Sequence, residues 1–161
     1  MTEIRRVAII GGNRIPFTRS NTAYSHASNM DMLSAALIGL VERFNLQGER
    51  LGEVAAGAVM KHSRDFNLAR EATLNSGLSL ETPAYDVQQA CGTGLEAAIL
   101  VANKIALGQI DAGIAGGTDT ASDAPLALNE AFRTMMLDLS RAKTVGARLK
   151  VLSRFRPGML V

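Results

Sequence analysis

Short apolar runs closed by glycine alternate along this chain with segments whose apolar residues recur at helical spacing, and that order restricts it to an α/β layered fold. The first run, Val7-Ala8-Ile9-Ile10 within residues 6–12, is stopped by Gly11-Gly12 and has the form of a buried strand. Ser28 and Asn29 then offer helix N-caps, Asp31 adds negative charge to the first turn, and Met32, Leu33, Ala36, Leu37, Leu40, Val41 and Phe44 share one helical face. Residues 53–60 read as a strand, 67–76 as a helix ending near Gly77, and 82–87 as another strand. The segment 95–107 is apolar on nearly every face, so its helix is expected to be buried on several sides. A last strand at 111–115 stops at Gly116-Gly117. The order β-α-β-α-β-α-β predicts helices on the faces of a sheet. No internal repeat and no low-complexity linker interrupts it.

Composition narrows the function classes. A chain of 161 residues, 47% hydrophobic and 20% charged, is sized for about one ordinary domain with a normal core. Aromatics make up 4% against 15 glycines, which suits close packing more than a surface for stacking bases. A single cysteine excludes an internal disulfide, and without CxxC spacing no zinc site and no other metal is expected. His26 and His62 lie in polar segments and are expected to be exposed rather than ligating. Gly11-Gly12 lacks the GxGxxG pattern and Gly116-Gly117 lacks the lysine of a phosphate loop, so no nucleotide cofactor is expected. No apolar run reaches the roughly 20 residues of a spanning helix. The expected location is cytoplasmic, soluble or peripheral at a membrane.

Cys91 carries the chemistry. It lies where the strand pattern Pro83-Ala84-Tyr85-Asp86-Val87 gives way to a small-residue helix opening, Gln88 to Ala97. A thiol at a helix N-terminus meets the positive end of the peptide dipoles and the unpaired N–H groups of the first turn, which favour the nucleophilic thiolate. Gly92 and Gly94 allow close approach of backbone or substrate. The competing reading is a small buried hydrophobe without chemistry.

These residues resemble the thiolase family, and the resemblance runs over nearly the whole chain. Arg14-Ile15-Pro16-Phe17 is similar to the Arg-Thr-Pro-Phe segment after the first thiolase strand, and Asn67-Leu68-Ala69-Arg70 to the Asn-x-Ala-Arg helix. Gln88-Gln89-Ala90-Cys91-Gly92-Thr93-Gly94 resembles the nucleophile segment Asn-x-x-Cys-x-Ser-Gly, with Gln and Thr in place of Asn and Ser. Residues 116–125 resemble Gly-Gly-x-Glu-x-Met-Ser-x-x-Pro, with Asp119 for Glu and Ala121 for Met. Asn129-Glu130-Ala131-Phe132 spells a motif the family carries near its oxyanion site in the C-terminal half; here its position makes it a coincidence, and Asn129 receives no catalytic role.

The resemblance implies the thiolase fold, a layered αβαβα arrangement of which this is the N-terminal half. It divides the chain into a nucleophile half-domain at 1–123 and the start of an inserted loop domain at 124–161. The implied reaction is cleavage of a 3-ketoacyl-CoA by CoA, or the reverse Claisen condensation, through an acyl thioester on Cys91. Coenzyme A and acyl-CoA are then substrates and no cofactor is bound. The residues that contact CoA, the catalytic histidines and the second cysteine belong to later family sequence, so residues 1–161 are expected to be an inactive fragment. A homodimer is implied. A condensing β-ketoacyl synthase and a non-catalytic assembly subunit are the alternatives.

The tail resembles the insertion of the β-oxidation multienzyme type, that of trifunctional-protein β subunits. Residues 133–156 hold seven basic side chains and one acidic, a net +6 in a chain of +2, so the remainder is acidic. Met135, Leu139, Ala142, Val145, Leu149 and Leu152 form an apolar stripe at helical spacing, which predicts a basic amphipathic helix, or two broken at Gly146. Such a segment suits an anionic membrane, a hydratase/dehydrogenase partner subunit or CoA phosphates, and equally a helix capping its own active site. No nucleic-acid module accompanies the charge.

Overall fold

The computed structural model describes residues 4–125 and 128–159. The chain divides into two compact units, Met1–Pro125 and Leu126–Val161.

In the first unit, helix α1 spans Asn29–Phe44. Ser28 opens it as half of a capping box: its hydroxyl accepts the Asp31 N–H at 3.1 Å while the Asp31 carboxylate accepts the Ser28 N–H at 2.9 Å. The Ser28 hydroxyl also donates to that carboxylate at 2.7 Å, and the two bonds it accepts from Ser28, backbone first, hold the Asp31 carboxyl below its usual range. Strands β1 (Glu53–Ala56), β2 (Ala84–Asp86) and β3 (Gly113–Ala115) form a parallel sheet in the order β2-β1-β3. Helices α2 (Leu68–Asn75) and α3 (Thr93–Ala106) make the two crossovers.

Pleating decides which helix covers which face. Val54 and Ala56 of β1 pack with Leu33, Leu37 and Val41 of α1 and Leu68, Ala69 and Ala72 of α2. Ala55 points the other way, into a smaller cluster with Ala97 and Val101 of α3. The central strand is therefore buried on both sides, which is why it reads as an uninterrupted run rather than an alternating one.

Three expectations are corrected. Residues 6–12 join no sheet, and Ile9 is 93% exposed. The ends of this segment are tied to helices instead of to a strand edge: Arg5 N–H donates to the Ala106 carbonyl at 3.0 Å, Arg43 to the Gly12 carbonyl at 2.7 Å, and Asn13 Nδ2 to the Ala36 carbonyl at 2.9 Å. Helix α3 buries only Thr93, Ala97 and Val101, the face toward the sheet; Leu95 on its opposite side is 69% exposed, because residues 4–125 lay no further layer over it. The strand predicted for 53–60 ends at Ala56; past it, Val59 and Met60 give their N–H groups to the Asp119 carboxylate instead of to a strand partner.

The second unit is a helix pair, α4 (Glu130–Arg141) and α5 (Val145–Leu152). The break falls at residues 142–144, not at Gly146, because Thr144 caps α5 by accepting the Ala147 N–H at 3.2 Å. The shift of phase splits the predicted stripe. Met135 is buried, whereas Val145 and Leu149 are exposed and Val151 takes the inward place on α5. Phe132 meets Phe155 edge to face at 6.2 Å, and Arg154 reaches Asp138 at 3.5 Å.

Candidate active site

The carboxyl ends of three parallel strands meet at one place, the usual position for a site in an open α/β sheet. Beyond the strands proper, Val87 N–H still donates to the Ala56 carbonyl at 2.9 Å, Gly116 N–H to Ala55 at 3.0 Å, and Thr118 N–H to Gly57 at 3.0 Å. This crowding requires glycine at position 57, since a Cβ there would lie 1.8 Å from the Val87 carbonyl oxygen. Gly117 is less confined: its Cβ would make a tight contact, 3.0 Å from the Gly57 carbonyl oxygen.

Cys91 stands at the mouth of this junction, exposed, one residue before the Gly92 cap of α3. It lines a cleft of about 370 Å³ with Gly57, Ala58 and Val59 from the exit of β1, Thr93 and Gly94 from α3, and Gly117, Thr118 and Asp119 from the exit of β3. The turn that delivers it is strained. Ala90 has φ 44°, a left-handed conformation that costs a residue with a Cβ about 1–2 kcal/mol. Thr93 closes the turn: its hydroxyl accepts the Gln89 N–H at 2.9 Å and donates to the Ala90 carbonyl at 2.7 Å.

Carboxylates hold the surrounding loops. Asp119 accepts the N–H groups of Val59 and Met60 at 3.1 and 3.2 Å, and so joins the β1 and β3 exits. Asp86, at the end of β2, pairs with Lys61 at 2.6 Å and accepts the Ala69 N–H at the start of α2 at 2.7 Å. Arg70 donates to the Leu80 and Thr82 carbonyls at 2.7 and 2.6 Å, fixing the segment that enters β2. The Asn67–Arg70 motif thus aligns the strand that leads to Cys91.

His62 departs from its expected exposure. It is half-buried, its Nε2 lying 2.9 Å from the Asp123 carbonyl and 3.2 Å from the Asp123 carboxylate, which Arg64 also pairs with. It lines a second cleft of about 380 Å³ with Lys61, Ser63, Phe66 and Gln88, sharing Val59 with the first. Burial here follows from Asp123, 61 residues on, and no local pattern announces it. His26 is exposed. Arg14 and Phe17 line neither cleft, and Phe17 is 89% exposed. Asn129 serves as a helix cap, its side chain accepting the Ala131 N–H at 2.9 Å, while Glu130 pairs with Arg133 at 2.5 Å. Among the described residues, no group of three or more His, Cys, Asp or Glu is placed to hold a metal ion.

The model of the thiolase N-terminal domain matches residues 7–154. The chain belongs to the thiolase family. Among curated thiolase relatives, the mitochondrial trifunctional enzyme subunit beta of Mus musculus is 39% identical over 98% of this chain and 33% of its own length. A 3-ketoacyl-CoA thiolase of Photorhabdus laumondii is 36% identical over 94% of this chain and 35% of its own. The thiolase chain thus spans about a third of the length of the curated relatives it matches. Among solved structures, the Bacillus anthracis acetyl-CoA acetyltransferase superposes with a TM-score of 0.74 at 26% identity, covering 80% of this chain and 32% of that one. The thiolase fold expected from the motifs is the fold observed.

Proposed function

We propose that this chain supplies the nucleophile of an acyl-CoA C-acyltransferase that cleaves 3-ketoacyl-CoA with CoA, or runs the reverse condensation. One observation carries the reading: in a chain of the thiolase family, the sole cysteine lines the cleft at the carboxyl ends of the parallel strands. Cys91 Sγ, as thiolate, attacks the 3-keto carbon. The resulting oxyanion collapses with rupture of the C2–C3 bond, leaving the acyl group on sulfur and an acetyl-CoA enolate that takes up a proton. The thiolate of free CoA then attacks the Cys91 thioester, releasing the shortened acyl-CoA and restoring the thiolate. The backbone N–H of Cys91 serves as one oxyanion donor. The sulfur and the enolate each need an acid–base partner for their proton transfers.

The names of the relatives, trifunctional enzyme subunit beta and 3-ketoacyl-CoA thiolase, favour a degradative role in fatty-acid β-oxidation and a hydratase/dehydrogenase partner subunit; the proposed homodimer rests on the family resemblance alone. No helix among the described residues is long and apolar enough to cross a membrane, and the basic second unit suits peripheral contact with a partner or an anionic surface. The test is Cys91→Ala in the complete enzyme. Thiolysis is expected to vanish with the melting temperature retained, and acetyl-CoA is expected to acetylate wild-type Cys91 and shield it from iodoacetamide. Appreciable turnover by the Ala variant, or absence of an acetyl adduct on Cys91, overturns the reading.

A further inference from the structure

The turn 89–93 contains a cost and its compensation. Ala90 at φ 44° is one of three non-glycine residues in the left-handed region among the described residues, and it immediately precedes the cysteine. Asn21 and Asn45, the other two, belong to a type that tolerates this conformation through its short polar side chain. Alanine has no such means. What stands against relaxation of Ala90 is Thr93, 5% exposed, whose hydroxyl is used twice: it accepts from Gln89 N–H on one side of Ala90 and donates to the Ala90 carbonyl on the other. The Thr93 N–H also donates to that carbonyl at 3.2 Å, and Gly92 N–H to the Gln89 carbonyl at 2.9 Å. The Thr93 methyl packs at the β1 exit, 3.0 Å from where a Cβ on Gly57 would stand.

We propose that Thr93 is a positioning residue for Cys91: its hydroxyl holds the left-handed backbone of Ala90 and thereby fixes the thiol at the cleft formed by the β1 and β3 exits. The inference rests on the reading of Cys91 as the nucleophile. The Thr93 hydroxyl proton is committed to the Ala90 carbonyl. Its effect is on geometry, and near-attack placement of a nucleophile is where a displacement of about 1 Å costs on the order of a hundredfold.

Isosteric substitutions separate the hydroxyl from the methyl. In the complete enzyme, Thr93→Val keeps the shape and deletes both hydrogen bonds, whereas Thr93→Ser keeps the hydroxyl and deletes the methyl. Cys91→Ala is run in parallel and assayed for steady-state thiolysis; for the other variants the readout is the single-turnover rate of acyl transfer to Cys91, followed by mass spectrometry, with the steady-state KM measured beside it. Thr93→Val is expected to slow acylation about tenfold, equivalent to about 1.4 kcal/mol of barrier, with KM little changed. Thr93→Ser is expected to acylate close to the wild-type rate. Ala90→Gly removes the Cβ penalty, so the loss caused by Thr93→Val is expected to shrink in the Ala90→Gly background.

Wild-type acylation by Thr93→Val overturns the proposal. So does a Thr93→Ser defect as deep as that of Thr93→Val, or an undiminished Thr93→Val loss when residue 90 is glycine. Should Thr93→Val fail to fold, the Ser variant carries the test through its rate. Turnover by Cys91→Ala sinks the nucleophile reading instead, so the two failures are told apart.

Discussion

Asp119 and Val59, sixty residues apart, are joined directly: the Asp119 carboxylate accepts the Val59 N–H at 3.1 Å and, through its other oxygen, the Met60 N–H at 3.2 Å. Both donors lie just past β1 and the acceptor just past β3, so this side chain ties together two loops that line the Cys91 cleft. Asp119→Asn leaves one acceptor oxygen and points an amide N–H₂ at the second backbone N–H. The expected loss is about 1–2 kcal/mol, discounted toward the lower value because Asp119 is exposed. Chemical denaturation should show a lowered midpoint with an unchanged slope, and acyl transfer to Cys91 should slow with it. An unchanged midpoint would show that the loops are held by other contacts.

A second pairing makes stability fall at alkaline pH. Glu53, with a side chain 5% exposed, pairs with Lys104 and accepts the Tyr85 hydroxyl at 3.2 Å, while the Lys104 ammonium lies 4.7 Å above the Tyr85 ring. The hydrogen bond to Glu53 raises the Lys104 pKa above its ordinary value, and burial followed by the Glu53 charge raises that of Tyr85. Both folded-state values lie above the unfolded ones, so their contribution is complete below the ordinary values near 10 and is lost as pH rises through the folded ones. Denaturation midpoints should therefore decline above about pH 10, and Glu53→Gln should flatten that decline. The two partners are unequal. Lys104→Met leaves a carboxylate buried without its cation, whereas Glu53→Gln leaves a lysine that is 37% exposed and free to turn to solvent. At neutral pH Lys104→Met is expected to cost more.

The basic helix pair makes a separable prediction. Arg141, Lys143, Arg148 and Lys150 are all exposed. Reversing the four to Glu in the complete enzyme should abolish salt-sensitive co-sedimentation with anionic vesicles and leave thiolysis of a short substrate intact. Retained vesicle binding with collapsed activity would mean that this unit serves the active site.

The order of elements in this chain was legible because each depends on neighbours in sequence. Capping at Ser28 with Asp31, helical spacing from Met32 to Phe44 and the apolar run of β1 are local properties, and the family motifs around Cys91 are contiguous. The motif Asn67–Arg70 could be recognised but not understood from sequence, since Arg70 acts on carbonyls at 80 and 82 and Ala69 on Asp86. The first apolar run misled because composition cannot say whether a strand edge accepts it. In the tail, periodicity was continued through a point where Thr144 restarts the helix in a new phase.

By itself, then, the sequence determined an alternating α/β order, a segment around Cys91 that resembles the thiolase nucleophile segment and a concentration of positive charge after residue 132. Tertiary structure decided the rest. It set β1 in the centre of the sheet, brought Gly57, Cys91 and Asp119 to one cleft, half-buried His62 against Asp123, and held Ala90 in a conformation that its residue type disfavours. The physical reason is range: caps and periodicity act within a few residues, whereas the contacts that shape the cleft close over tens of residues and exist only when three strand ends are brought side by side.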